Sequence, residues 1–266
     1  MDNRPIGFFD SGLGGLTAVR ALRRILPDEN IIYFGDTARM PYGSRPTDML
    51  RKMARQDLDF VASRDAKCIL AACGTVSSTA PDVLAAYPVR TFDVLSSTVR
   101  EAAKHPARSI GVIATAACIA SGAFQKALAS ACPGAEIAAV ACPAFVPLIE
   151  SGHYDPDDEA LRAAVAEYLA PLREKGVEAL ILGCTHYGLI EAAIRRYLGE
   201  GPYMIEAAAC AARELADWLK REKLCGGRGE ERFCTSGSAE DFTRFSAVFL
   251  GRAPRGEVAH VPEMEV

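Results

Sequence analysis

Residues 69–78 read ILAACGTVSS, and residues 179–188 read ALILGCTHYG. Each is a short apolar run that stops at a cysteine followed by small or hydroxyl residues. Runs without polar alternation, closed by turn formers, predict strands buried on both faces under helices. The segments that precede them also repeat. A strand at 6–12 (IGFFDSG), a helix at 16–26, a strand at 30–37 (NIIYFGDT) and a long helix at 47–64 lead to the first cysteine run. A helix at 96–105 follows it, and after Pro106 the scheme restarts. A strand at 109–115 (SIGVIAT), a helix at 121–131, a strand at 135–145 and a long helix at 157–176 lead to the second cysteine run. The interval from Ile6 to Cys73 is close to that from Ile110 to Cys184. This alternation predicts an α/β chain of two similar parallel-sheet domains related by a pseudo-two-fold axis. Ligands bind beyond the C-terminal ends of such strands. Cys73 and Cys184 are therefore expected on opposite walls of one cleft between the domains.

The tail reads as a helix at 207–223, a loop and strand at 225–237, and a last helix at 238–251. The stretch LCGGRGEE at 224–231 reads as a flexible turn. The expected division is residues 1–95 plus 208–266 for the first domain and 96–207 for the second.

Composition narrows the function. Half of the 266 residues are hydrophobic, enough for a sizeable core. A net charge of −4 gives no bulk signal for nucleic-acid binding. No apolar run is long enough to span a bilayer or serve as a signal peptide, so the expectation is a soluble, cytoplasmic chain with no membrane partner. The nine cysteines are scattered, with none at Cys-x-x-Cys spacing, which argues against a zinc ribbon, and no metal is expected. Cys68, Cys118, Cys132, Cys142, Cys210, Cys225 and Cys234 read as structural, as do His105, His153 and His260.

Two thiols facing each other suit one chemistry in particular. Inverting an amino acid at its α-carbon requires a base on one face and an acid on the other, and a thiolate with a thiol meets that demand symmetrically. The blocks IGFFDSGLGGLTAVR, YFGDTARMPYGSR, ILAACGTVSS, IGVIATAACIASGAFQKAL, ACPAFVPLIESG and LILGCTHYGLI, with the closing FCTSGSAEDFTRFSAVFLG, resemble bacterial glutamate racemase of the aspartate/glutamate racemase superfamily. The resemblance spans nearly the whole chain. It implies cofactor-independent interconversion of L- and D-glutamate for peptidoglycan, with Cys73 and Cys184 as the two acid/base residues, in a family whose members commonly form homodimers. By the same resemblance Asp10 and His186 lie near the two thiols, and Asp36 and Glu150 are further helpers. Asp10, Ser11, Pro41, Tyr42, Gly43, Gly74, Thr75, Cys118 and Thr185 are the implied substrate contacts.

Other readings stand beside this one. The glycines of SGLGGL lack the Gly-Lys-Ser/Thr ending of a phosphate loop. Asp10 could be only a turn residue, Asp36 a cap, and Glu150 a solvated charge. Cys184 with His186 shows no second ligand cluster for a metal. The chain also departs from the family pattern. Gly74 stands where asparagine is usual, Cys118 where threonine is common, and Gly188 where proline is usual, while YMIEAAACAA replaces a segment that often reads Ile-Asp-Ser/Pro. These changes keep open a racemase for another acidic amino acid such as aspartate, or a binding homologue that has lost turnover.

Overall fold

The computed structural model describes residues 1–256, 258–262 and 264. In chain order its strands are β1 (Ile6–Asp10), β2 (Ile31–Gly35), β3 (Cys68–Ala71), β4 (Thr91–Asp93), β5 (Ser109–Ala114), β6 (Glu136–Ala141), β7 (Ala179–Leu182), β8 (Tyr203–Glu206), β9 (Glu231–Thr235) and β10 (Val258–His260). They form two sheets, ordered β10-β9-β2-β1-β3-β4 and β6-β5-β7-β8. Every pairing is parallel. The order 2-1-3-4 of the first four strands recurs as 6-5-7-8, so the restart in sequence is a restart in topology. Register repeats as well. Ile6 aligns with Ile31 and Cys68, and Ile110 aligns with Ile137 and Ala179.

The strands β1, β2, β3 and β7 are buried along their whole length, as expected when helices cover both faces. The helix Ala207–Arg221 packs on both Leu16–Ile25 and Val94–Ala102, its run of alanines allowing close approach. The tail contributes β9 and β10 to the first sheet, beside β2.

Several elements escaped the sequence reading. Strands β4 and β8 are too short to show a period. Residues 74–79 form a helix, as do Phe145–Glu150 and Glu191–Leu198. The stretch at 224–231 is no flexible turn: Asn30 Oδ1 accepts from the backbone N–H groups of Arg228 and Glu230, and Lys67 Nζ donates to the carbonyls of Leu224 and Gly226. Among the described residues no helix is long and apolar enough to cross a membrane.

Candidate active site

Cys73 lies two residues beyond the end of β3, and Cys184 two residues beyond the end of β7. Because the two strands hold the same place in their sheets, the two thiols arrive at equivalent positions. Both line a single cleft of about 670 Å³. A neighbouring groove of similar volume, lined by Leu13, Met40, Phe242, Phe245 and Phe249, shares Glu150 with the cleft but holds neither thiol.

The two thiols have different surroundings. On the first side, the Cys73 thiol lies 3.6 Å from Ser11 Oγ, and Ser11 Oγ donates to Asp10 Oδ1 at 3.4 Å. Asp10 is buried, accepts from Gly12 N–H at 2.7 Å, and receives Thr185 Oγ1 from the other half at 3.5 Å. Burial raises the Asp10 carboxyl, with the positive charge of His186 pulling the other way. Burial, followed by the neighbouring Asp10 charge, pushes the Cys73 thiol up to about 12. Cys73 therefore rests as a proton donor, with a carboxylate available through one hydroxyl.

On the second side, Cys184 Sγ lies 3.8 Å from His186 Nδ1, and His186 Nε2 lies 3.1 Å from Glu150 Oε1. Burial alone would depress His186, but its hydrogen bonds to Cys184 and Glu150 outweigh that and raise it to about 10. That shift favours the protonated ring, which is placed as a countercharge for a thiolate formed beside it. Phe249 packs edge-on against it with centroids 5.1 Å apart.

The glycine loop after β1 serves this contact. A side chain at Gly14 would collide with Thr185 Oγ1 and His186 Nδ1, so its absence lets the first half approach the second cysteine turn. Thr17 Oγ1 donates to the Thr185 carbonyl at 3.2 Å across the same seam.

Most of the expected residues meet at the cleft: Asp10, Ser11, Pro41, Tyr42, Gly43, Cys73, Gly74, Thr75, Glu150, Cys184, Thr185 and His186 line it. Asp36 and Cys118 do not. Asp36 is fully buried behind Tyr42, where it pairs with Arg39 and accepts from Ser236 Oγ at 2.7 Å. It makes no side-chain cap either. Cys118 points from the short helix Ala116–Ala120 into the apolar core with Ile110, Val112 and Phe124. The Tyr42 hydroxyl is committed to Asp36 and to Asp57 Oδ2, so its ring rather than its hydroxyl is left for the cleft. Gly74 has no positive φ, so the freedom of a glycine backbone is not what that position uses.

Thr115 and Gly183 line the cleft without having been singled out, and Cys142, read from sequence as structural, lines it too. Aligning IGFFDS with IGVIAT would have found Thr115, which follows β5 as Ser11 follows β1; its hydroxyl lies 3.2 Å from that of Thr75. Likewise Cys142 follows β6 as Asp36 follows β2. Among the described residues no group of three or more His, Cys, Asp or Glu side chains is placed to hold a metal.

The family model for Asp/Glu/hydantoin racemase matches residues 17–215. Glutamate racemase 2 of Caldanaerobacter subterraneus subsp. tengcongensis is 36% identical over 255 residues, covering 95% of each chain. The crystal structure of glutamate racemase from Francisella tularensis in complex with D-glutamate superposes with a TM-score of 0.91 at 35% identity, over 99% of each chain. That of the Thermus thermophilus glutamate racemase in complex with β-chloro-D-alanine gives 0.88 at 37% identity, over 98% of each.

Proposed function

The chain belongs to the Asp/Glu/hydantoin racemase family, and from that premise we propose that it is a glutamate racemase working through two thiols. The observation that carries the mechanism is the pair Cys73 and Cys184, brought to one cleft from equivalent strand ends. One thiolate removes the α-proton, leaving its electron pair on carbon, and the opposite thiol delivers a proton to the other face. In one direction Cys184 is the base, with His186 as its countercharge, and Cys73 is the acid. In the other, Cys73 must first lose its proton, and the route runs through Ser11 to Asp10. Hydroxyls and backbone N–H groups at Ser11, Thr75 and Thr185 suit the carboxylates of the substrate and the charge that develops at the α-carbon.

The reading extends to D-glutamate supply for peptidoglycan in the cytoplasm, to a homodimer, and to a division into residues 1–95 plus 208–266 and 96–207. Replacing either cysteine tests its centre. Cys73→Ala and Cys184→Ala are each expected to abolish L/D interconversion of glutamate, followed by chiral chromatography with no cofactor added. Racemisation at the unmodified rate in either variant would overturn the two-thiol mechanism.

A further inference from the structure

Pro41, Tyr42 and Gly43 form part of the cleft wall, and the Tyr42 hydroxyl is held in a buried polar cluster. The helix Thr47–Ala62 brings Asp57 to that cluster, the turn Thr37–Arg39 brings Arg39, and Asp36 follows β2 directly. Asp36 and Asp57 are fully buried, and Arg39 and Tyr42 nearly so. Two carboxyl groups thus share one guanidinium. Arg39 Nε donates to Asp36 Oδ2 at 2.5 Å, and its Nη2 donates to Asp57 Oδ1 at 3.0 Å.

Donors and acceptors do not balance if both carboxyl groups are ionised. The Tyr42 oxygen lies within hydrogen-bonding distance of Asp36 Oδ2 and of Asp57 Oδ2, the second at 3.0 Å, yet a phenol has one proton to give. Asp36 has no place for a further proton. Its Oδ2 takes Arg39 Nε and is the nearer partner of Tyr42, and its Oδ1 accepts from Ser236 Oγ, which itself receives Ala38 N–H. Without a proton on Asp57, its contact with Tyr42 sets one lone pair against another, and the cluster buries a net negative charge. With that proton the three groups align as one chain, Asp57 donating to Tyr42 and Tyr42 donating to Asp36. The surrounding charges agree. Burial and then the Asp36 charge push the Asp57 carboxyl well above the usual range, against the pull of Arg39 and the Tyr42 hydrogen bond, and Asp10 adds a smaller push upward.

We propose that Asp57 is a positioning residue acting as a neutral acid: its proton completes the chain to Tyr42 and Asp36 and so holds residues 41–43 against the substrate. The proposal rests on the racemase reading for what those residues touch, whereas the proton stands on the cluster alone.

Two variants separate this role from plain packing. The asparagine of Asp57→Asn can accept from Arg39 through Oδ1 and donate to Tyr42 through Nδ2, as the protonated acid does. It is expected to keep the KM for glutamate close to that of the unmodified protein. Asp57→Leu has neither group and is expected to raise KM about tenfold with kcat little changed, because residues 41–43 hold the substrate before and during the reaction alike. A leucine variant with unaltered KM and kcat per folded molecule means a merely structural role and overturns the proposal. An asparagine variant whose KM rises as far as that of leucine also overturns it, since Asp57 would then act as a carboxylate.

Infrared spectroscopy gives a second reading that needs neither turnover nor a folded leucine variant. The difference spectrum between the unmodified protein and Asp57→Asn at neutral pH is expected to contain the carbonyl stretch of a protonated carboxyl, moving to lower frequency in heavy water. Carboxylate bands alone would refute the neutral acid. The cysteine variants keep the two ideas apart. If either still inverts glutamate, the two-thiol reading fails while the infrared band still locates the proton. If both are inactive and Asp57→Leu keeps its KM, only the positioning assignment fails.

Discussion

At the scale of single residues, the site is asymmetric where the fold repeats. Asp10 ends β1, but the matching residue at the end of β5 is Ala114; His186 lies two residues past Cys184, while Thr75 lies two past Cys73. An acid thus stands near one thiol and an imidazole near the other. The imidazole has a measurable consequence for stability. Its folded value of about 10 lies above its ordinary 6.5, so its charged form favours the folded state. That contribution is fully present below about 6.5 and is lost as the pH rises through about 10. His186→Gln should therefore destabilise the protein most at mildly acidic pH and progressively less towards pH 10, read as urea midpoints across that range. Glu150→Gln removes a carboxylate that holds the proton on His186, so the His186 titration, followed by NMR of the ring protons, should move to lower pH. Sequence alone located the two cysteines because a residue just past a buried parallel strand must reach the ligand end of the sheet. It did not separate Asp36 and Cys118 from the cleft, because the direction a side chain takes after the strand ends depends on packing that no local pattern encodes.

At the scale of elements, the repeat extends to a device that the sequence reading did not use. Strand β4 passes straight into the helix Val94–Ala102, and Asp93 Oδ1 accepts from Ser96 N–H at 2.7 Å. Strand β8 passes straight into the helix Ala207–Arg221, and Glu206 Oε2 accepts from Ala209 N–H at 3.2 Å. In both halves the last strand residue is the acidic cap of the next helix, supplying a partner for an otherwise unpaired N–H. Asp93→Ala should cost about 1 kcal/mol, a melting-point loss of roughly 2–4 °C for a chain of this size. Glu206→Ala should cost less, because its hydrogen bond is longer; equal losses on heating would contradict that ranking. The flanking helices were legible from their amphipathic pattern, and the long strands from their apolar runs. The segments TFD and YMIE were not, because three or four residues carry no period. Their strand character comes from pairing against the open edges of β3 and β7.

At the scale of the whole molecule, the first sheet must be closed by segments from opposite ends of the chain, and a buried charge does this at the end of the strands away from the thiols. Lys67, just before β3, donates to Glu29 Oε2 at 2.6 Å, to the Asp2 carbonyl at 2.7 Å and to the Leu224 carbonyl at 3.0 Å. Glu29 Oε1 accepts from Gly226 N–H at 2.9 Å. One ammonium thereby joins the N-terminus, the approach to β2, the start of β3 and the segment leading to β9. Charged side chains are seldom buried, so nothing in the local sequence marked Lys67 or the loop it holds. Lys67→Met would leave the Glu29 carboxylate buried without its cation, a loss of about 3–5 kcal/mol, a large share of the roughly 5–15 kcal/mol that holds a domain folded. Adding Glu29→Leu should recover much of that loss, because the expense lies in the unpaired charge rather than in the missing attraction. Urea unfolding of the single and double variants measures both steps. Racemisation per folded molecule should stay unchanged in each, since the Lys67–Glu29 pair and Cys73 sit at opposite ends of β3 and Cys184 belongs to the other sheet; a fall in kcat/KM without a fall in stability would show that the strand carries strain to the cleft.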